Sequence, residues 1–370
     1  MKYIDEFRDP KLARDLVAEI RREVAAHPEI RPVRLMEFCG GHTHAIFRFG
    51  LRQMLAGDVD MRSGPGCPVC VTAASDLDRA MAIAEIPSVI LATFGDMVRV
   101  PGSRGTLQEI RAEGADVRIV YSPLDALAIA RDNPAREVIF LGVGFETTTP
   151  GIAATVLQAE KEGVPNFSVL SMHKLTPPAM QAILDAGEVA LDGIIGPGHV
   201  SAVIGSDAWA FLPDDYAIPC AVAGFEPLDL LGAIAALVHA VADRRPGVFN
   251  TYARSVRPQG NPVAQRMLEE VFEVATTPWR GFGDIPDSGL RLRRRFAQRD
   301  AAQRFPVAVE PVGEPPGCRC GEVLRGVIAP TECALFRRVC TPRNPVGPCM
   351  VSAEGACAAY YKYGETGTSE

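Results

Sequence analysis

Apolar positions along the chain switch repeatedly between a helical spacing and short continuous runs. After Asp9-Pro10, an N-cap followed by a proline suited to the first helical position, Leu12, Leu16, Val17, Ile20 and Val24 fall on one face of a helix. The run 33–38 reads as a strand, followed by a glycine turn, a helix over 43–55, a loop over 63–70 and a helix over 73–84 with Leu77, Met81 and Ile83 near its buried side. A buried strand at 88–94, a helix at 106–113, a strand at 117–121 and a helix at 123–132 capped by Ser122 continue the alternation. The cycle restarts with a strand at 138–143, a helix at 150–162 with Thr149 as N-cap, a strand at 167–172, a helix at 177–186, strands at 193–195 and 217–223, and a strongly apolar helix at 227–242. Strands alternating with helices predict parallel sheets covered by helices.

The predicted class is therefore α/β: two parallel-sheet domains of similar build, residues 1–135 and 136–245, plus a third part, 246–370. That part begins as a wrapping segment rich in Arg, Pro and Gly with one clear helix, 262–275, and ends in a tail dense in cysteine and short of periodicity. A tail of that kind suits a small domain held by a cofactor rather than by its own core.

Length and charge narrow the function classes. A chain of 370 residues exceeds one comfortable core. A net charge of -7 argues against a nucleic-acid surface, and the basic patch Arg291, Arg293, Arg294 and Arg295 reads as a solvated helix face or a docking spot. The N-terminus lacks the apolar core of a signal peptide, and no apolar run reaches the roughly 18 residues of a membrane span, so a cytoplasmic protein is expected. In that compartment ten cysteines are poor candidates for structural disulfides.

Four stretches carry chemistry. Cys39-Gly40-Gly41-His42-Thr43-His44 follows a strand, where ligands collect in open α/β sheets, and its thiol and two imidazoles suit a soft metal; the alternative is a glycine turn with Thr43 as N-cap. Cys67-Pro68-Val69-Cys70, after Gly64-Pro65-Gly66 on a tight exposed loop and before a helix, suits thiol redox chemistry, with half of a zinc site as the competing reading. Gly144-Phe145-Glu146-Thr147-Thr148-Thr149-Pro150 leaves Glu146 as a candidate proton or metal partner at a strand end. It lacks the glycines and lysine of a nucleotide loop. His173 and His199 read as structural histidines and Cys220 as a buried small residue.

The tail supplies Cys318, Cys320, Cys333, Cys340, Cys349 and Cys357. Six thiols exceed the four of an iron-sulfur cube, so a cubane with a redox-active pair beside it is the economical reading, and structural zinc is the alternative. An extended backbone through Cys318-Arg319-Cys320 would turn both thiols toward one cluster.

Taken in order, these motifs resemble the hydrogenase maturation factor HypD family over essentially the whole chain, with no motif missing. The resemblance implies a scaffold acting with HypC, on which the iron of nickel-iron hydrogenase acquires cyanide and carbon monoxide ligands, cyanide coming from HypE and HypF. It implies that Cys39 is the iron-holding thiol with His42 and His44 beside it, and that Cys67 and Cys70 are a redox pair. It also implies a 4Fe-4S cluster on Cys318, Cys333, Cys340 and Cys357, leaving Cys320 and Cys349 as the cluster-side dithiol. A thiol-disulfide oxidoreductase acting on a protein disulfide stands as the alternative function, and no nucleic-acid or membrane partner is expected.

Overall fold

The computed structural model describes residues 4–309 and 313–364, so the first three residues of the stretch read for a signal peptide lie outside the described residues. In chain order the strands are β1 (Val33–Glu37), β2 (Val59–Ser63), β3 (Val89–Thr93), β4 (Val117–Ile119), β5 (Glu137–Gly142), β6 (Phe167–Ser171), β7 (Gly193–Pro197), β8 (Cys220–Ala223), β9 (Val248–Asn250), β10 (Phe272–Trp279) and β11 (Gly283–Leu292). They form a five-stranded sheet in the order β2-β1-β7-β8-β9, a four-stranded sheet in the order β4-β3-β5-β6, and a two-stranded ribbon β10-β11. Pairing in the two larger sheets is parallel throughout. The α/β class with parallel sheets is therefore what the chain adopts. Continuous apolar runs follow from this, because helices cover both faces; every residue of β3 is buried.

The sheets do not divide the chain at residues 135 and 136. Ile90 of β3 pairs with Val138 of β5 across that point, while Leu35 of β1 pairs with Gly193 of β7. The four-stranded unit is thus inserted between the second and third strands, in chain order, of the five-stranded one. Periodicity marks a segment as a strand but carries no information about which strand it pairs with. The first sheet is closed on one side by helices Pro10–Ala26 and Pro227–Ala242, whose Val17, Ile20, Val24, Leu230, Ile234 and Leu237 share one core.

The wrapping segment differs most from expectation. Its helix ends at Val271, and Phe272–Trp279 pairs antiparallel with Gly283–Leu292. Val274, Thr276 and Thr277 are β-branched and Pro278 follows, so the local preference turns extended where apolar spacing alone prolonged the helix. Arg291 consequently lies on a strand rather than a helix face, bonding Glu273 at 2.7 Å. No helix among the described residues is long and apolar enough to cross a membrane.

Candidate functional site

The carboxyl ends of the five-stranded sheet gather the motifs. Cys39 follows β1, the loop with Cys67 and Cys70 follows β2, His199 follows β7, and Phe225 follows β8. Cys39 is the N-cap of helix Gly40–Arg48, which therefore starts three residues earlier than expected, with Thr43 inside it. The two glycine motifs meet backbone to backbone: Gly40 N donates to Gly66 O at 2.9 Å, and a Cβ on Gly66 would stand 2.3 Å from Cys39 N. No larger residue fits there.

Beneath the thiol lies a carboxylate that the sequence reading passed over. Glu37, the last residue of β1, is buried; it accepts from Cys39 N at 3.1 Å and from the Thr43 hydroxyl. Burial pushes its pKa up to about 8, against the hydrogen bonds from Thr43, Cys39 and Ser63. Its signal was present as a charged residue closing an apolar strand next to the cysteine. Burial also raises the Cys39 thiol to about 12; the His42 amide opposes this, while the Glu354 and Glu37 carboxylates add to it.

The two histidines diverge. His42 is fully buried; its Nε2 donates to Ala223 O at 3.1 Å, its ring lies 4.8 Å from Phe225, and its Nδ1 has no partner. Burial lowers it to about 4, so the ring is neutral. His44 turns to the tail instead, where the Tyr363 hydroxyl lies 2.9 Å from its Nε2. Phe47 meets Tyr360 of the same tail helix, Ala356–Tyr363, at 4.5 Å between ring centroids. The tail thereby covers the Cys39 turn, with Glu354 against Gly40.

Cys67 and Cys70 form a disulfide. Cys67 N-caps the short helix Pro68–Val71, and its sulfur accepts from Cys70 N at 3.2 Å. The loop is not exposed: both cysteines are buried, because the ribbon end at Trp279 and the tail segment Pro348–Met350 close over it. Cys70 Sγ lies 3.8 Å from Pro348 O, one residue before Cys349. Alkylation followed by mass mapping should show a two-hydrogen difference between oxidised and reduced protein on the peptide holding Cys67 and Cys70. Two free thiols after mild oxidation would contradict a redox role for the pair.

All six tail cysteines line one cavity, with Val323, Leu335, Phe336 and Met350 among the residues of its walls. Cys318 and Cys320 reach it although the backbone between them is not extended: Arg319 is an N-cap and Cys320 begins helix Cys320–Leu324. Cys320 Sγ and Cys349 Sγ are 2.8 Å apart, and both are buried. Hydrogen bonds involving Cys318 and Cys349, with the Arg280 charge nearby, hold Cys320 below an ordinary thiol, and Cys349 is correspondingly raised. Val346 N points at Cys340 Sγ at 3.4 Å. Among the described residues no group of three or more Cys, His, Asp or Glu is arranged around a single ion. The six sulfurs surround a space, and soft thiolates with an amide donor in an apolar wall are a donor set that fits an iron-sulfur cluster.

Glu146 takes no part in this gathering. It is buried and accepts from Thr176 N at 2.8 Å and from the Thr176 hydroxyl, thus tying down the start of helix Thr176–Ala186. Thr149 is not the N-cap of its own helix; its hydroxyl donates to Phe145 O at 3.0 Å. Burial raises Glu146 from 4.5 to about 7. A carboxyl raised on folding favours the folded state most below its unfolded pKa, and that contribution is lost as pH climbs through the folded value. Stability should fall by about 3 kcal/mol between pH 4.5 and pH 7 from this group, and Glu146→Gln should remove that slope while its amide oxygen keeps the Thr176 bonds. Denaturant titrations of both proteins at several pH values check this, and equal slopes would contradict it. His173 is buried, pushed down to about 3, and bonded through Nδ1 to Ser171 at 2.9 Å; Cys220 is buried within β8.

These features define a class: an α/β protein whose strand-end thiol, buried disulfide and cysteine-walled tail cavity are packed together. The sequence profile HypD, described as the hydrogenase formation hypA family, matches residues 11–364. The chain is 50% identical to the hydrogenase maturation factor HypD2 of Bradyrhizobium diazoefficiens, covering 98% of this chain and 97% of the relative. It is 51% identical to HypD of Azotobacter vinelandii over 98% and 97%, and 45% identical to HypD of Escherichia coli over 98% of each. The chain belongs to the HypD family of hydrogenase formation and maturation proteins.

Proposed function

We propose that this chain is the scaffold on which, together with HypC, the iron of nickel-iron hydrogenase is fitted with cyanide and carbon monoxide, cyanide arriving from HypE and HypF in the cytoplasm. Iron is cargo here, held by the Cys39 thiolate. The convergence of the Cys39 turn, the Cys67–Cys70 disulfide and the six-cysteine tail supports this reading, since none of the three has a use for the others in a purely structural protein.

Each residue has a task. Burial keeps the Cys39 thiol protonated, so iron would displace its proton on binding; the Gly41 and His42 amides at the helix start would then stabilise the thiolate, and the neutral His42 adds no charge that would repel a cation. Cys318, Cys333, Cys340 and Cys357 would hold a 4Fe-4S cluster, which when bound supplies one-electron chemistry. Cys320 and Cys349 are then the dithiol that exchanges with Cys67–Cys70. One of their thiolates attacks the disulfide, the mixed disulfide is resolved by the other, and two electrons and two protons pass to Cys67 and Cys70 as a Cys320–Cys349 bond forms. The 2.8 Å separation of Cys320 and Cys349 favours that division of the six.

An infrared spectrum of the protein purified with HypC tests the proposal. Bound cyanide and carbon monoxide should absorb where proteins do not, and iron should exceed four atoms per chain. Their absence, with a disulfide that still turns over, would leave a thiol-disulfide oxidoreductase.

A further inference from the structure

The ribbon β10-β11 reaches both sulfur pairs with one short turn. Thr72, two residues after Cys70, bridges Trp279, and Arg280 N donates to Val71 O at 2.9 Å. On the other side Gly281, at φ +82°, abuts the residue after Cys320: a Cβ on Gly281 would stand 2.3 Å from Gly321 Cα. Arg325 Nη1 closes that contact by donating to Gly281 O. Trp279 stacks on Phe145 at 6.0 Å and its indole donates to Ser288 Oγ at 2.8 Å, which fixes the turn to the second sheet's loops.

Between the two contacts sits Arg280, 2% exposed. Its Nε donates to Thr72 O at 2.9 Å, Nη2 to Pro101 O at 2.9 Å and Nη1 to Glu314 Oε2 at 3.2 Å. A buried guanidinium is costly to keep, and apolar residues would pack this turn at least as well. What they could not do is satisfy, with one rigid fork, the carbonyl that follows the CPVC helix and a second carbonyl from the loop after β3.

We propose that Arg280 is a positioning residue for sulfur exchange: the Trp279-Arg280-Gly281 turn holds the Cys67–Cys70 loop and the Cys320 helix at the separation their exchange needs. The inference rests on the redox reading of the two pairs given above. It assigns to a ribbon outside both cysteine motifs the task of setting their approach, where a displacement of about 1 Å is enough to cost large factors in rate.

The test uses the full-length, cluster-loaded protein, fully reduced and then given one equivalent of diamide per chain. Acid quenching at intervals, differential alkylation and mass mapping show which pair carries the disulfide. Relaxation of that distribution, at a rate independent of protein concentration, measures exchange within the chain. Arg280→Met should slow the relaxation by roughly tenfold or more, with iron and sulfide content unchanged. Arg280→Lys, which keeps the charge and loses the fork, should slow it by a smaller factor, and it decides the matter if the Met variant does not fold. A purely structural Arg280 would lower the melting temperature and leave the relaxation rate as in the wild type, which would overturn the inference. No relaxation in the wild type itself would instead remove the redox reading, and this inference with it.

Discussion

Cys39→Ala should abolish the cyanide and carbon monoxide bands of the complex with HypC while leaving the absorbance of the tail cluster in place. Cys39 caps the helix Gly40–Arg48 without a side-chain bond to it, so an alanine there removes the sulfur and disturbs little else. The cavity cysteines are a separate donor set, and none of them shares a wall with Cys39. His44→Ala should act more mildly and by a different route: its ring bonds the Tyr363 hydroxyl, so its loss loosens the tail helix over the turn. The infrared spectrum and iron content of each variant, purified with HypC, check the order. A Cys39→Ala protein that keeps both diatomic ligands on iron would sink the scaffold.

The second large effect is expected at the tail. Cys333→Ser or Cys340→Ser should remove the brown chromophore and expose the tail to proteolysis. The cluster around Phe336, Cys340 and Met350 is the smallest apolar core of the described chain, with Cys333, Leu335, Tyr360 and Tyr361 packed on it. So small a core would leave the segment dependent on the cluster proposed for it, and the free energy of cluster binding would then be folding free energy. Iron and sulfide analysis with limited proteolysis reads both consequences. Full iron and sulfide in both variants would show the ligand set to be drawn differently among the six.

The consequences of losing the tail should spread. Helix Ala356–Tyr363 carries Cys357 into the cavity and lays Tyr360 and Tyr363 on Phe47 and His44. A cluster-free protein should therefore hold its Cys39 turn less firmly than the loaded one, although the two sites have no ligand in common.

Much of this was legible in the chain because it is local. Helix Pro227–Ala242 and helix Pro123–Asp132 lie where apolar spacing, N1 prolines and capping residues placed them, Ser122 bonding Asp125 N at 3.2 Å. The α/β class followed from the same local order, and so did the Cys39 turn at a strand end and the cysteine-dense tail, whereas β2, the strand that leads into the Cys67–Cys70 loop, was not read. Chemistry carried by closely spaced residues, such as Cys67 and Cys70, can be read the same way, since neighbours in sequence are neighbours in space. What only the tertiary structure decided is non-local. Nothing in β1 says that its second neighbour is β7, some 160 residues on, because parallel pairing leaves no mark on either strand beyond its apolar character. The opposite turns of His42 and His44 depend on what covers each side of their helix. The burial of the Cys67–Cys70 loop depends on a ribbon whose strand character lost to helical spacing in the one-dimensional reading, and Arg280 gains its part only when residues 72, 101 and 314 meet around it. Side-chain identity sets what a residue is able to do, and its partners, fixed by packing across the whole chain, set which of those things it does.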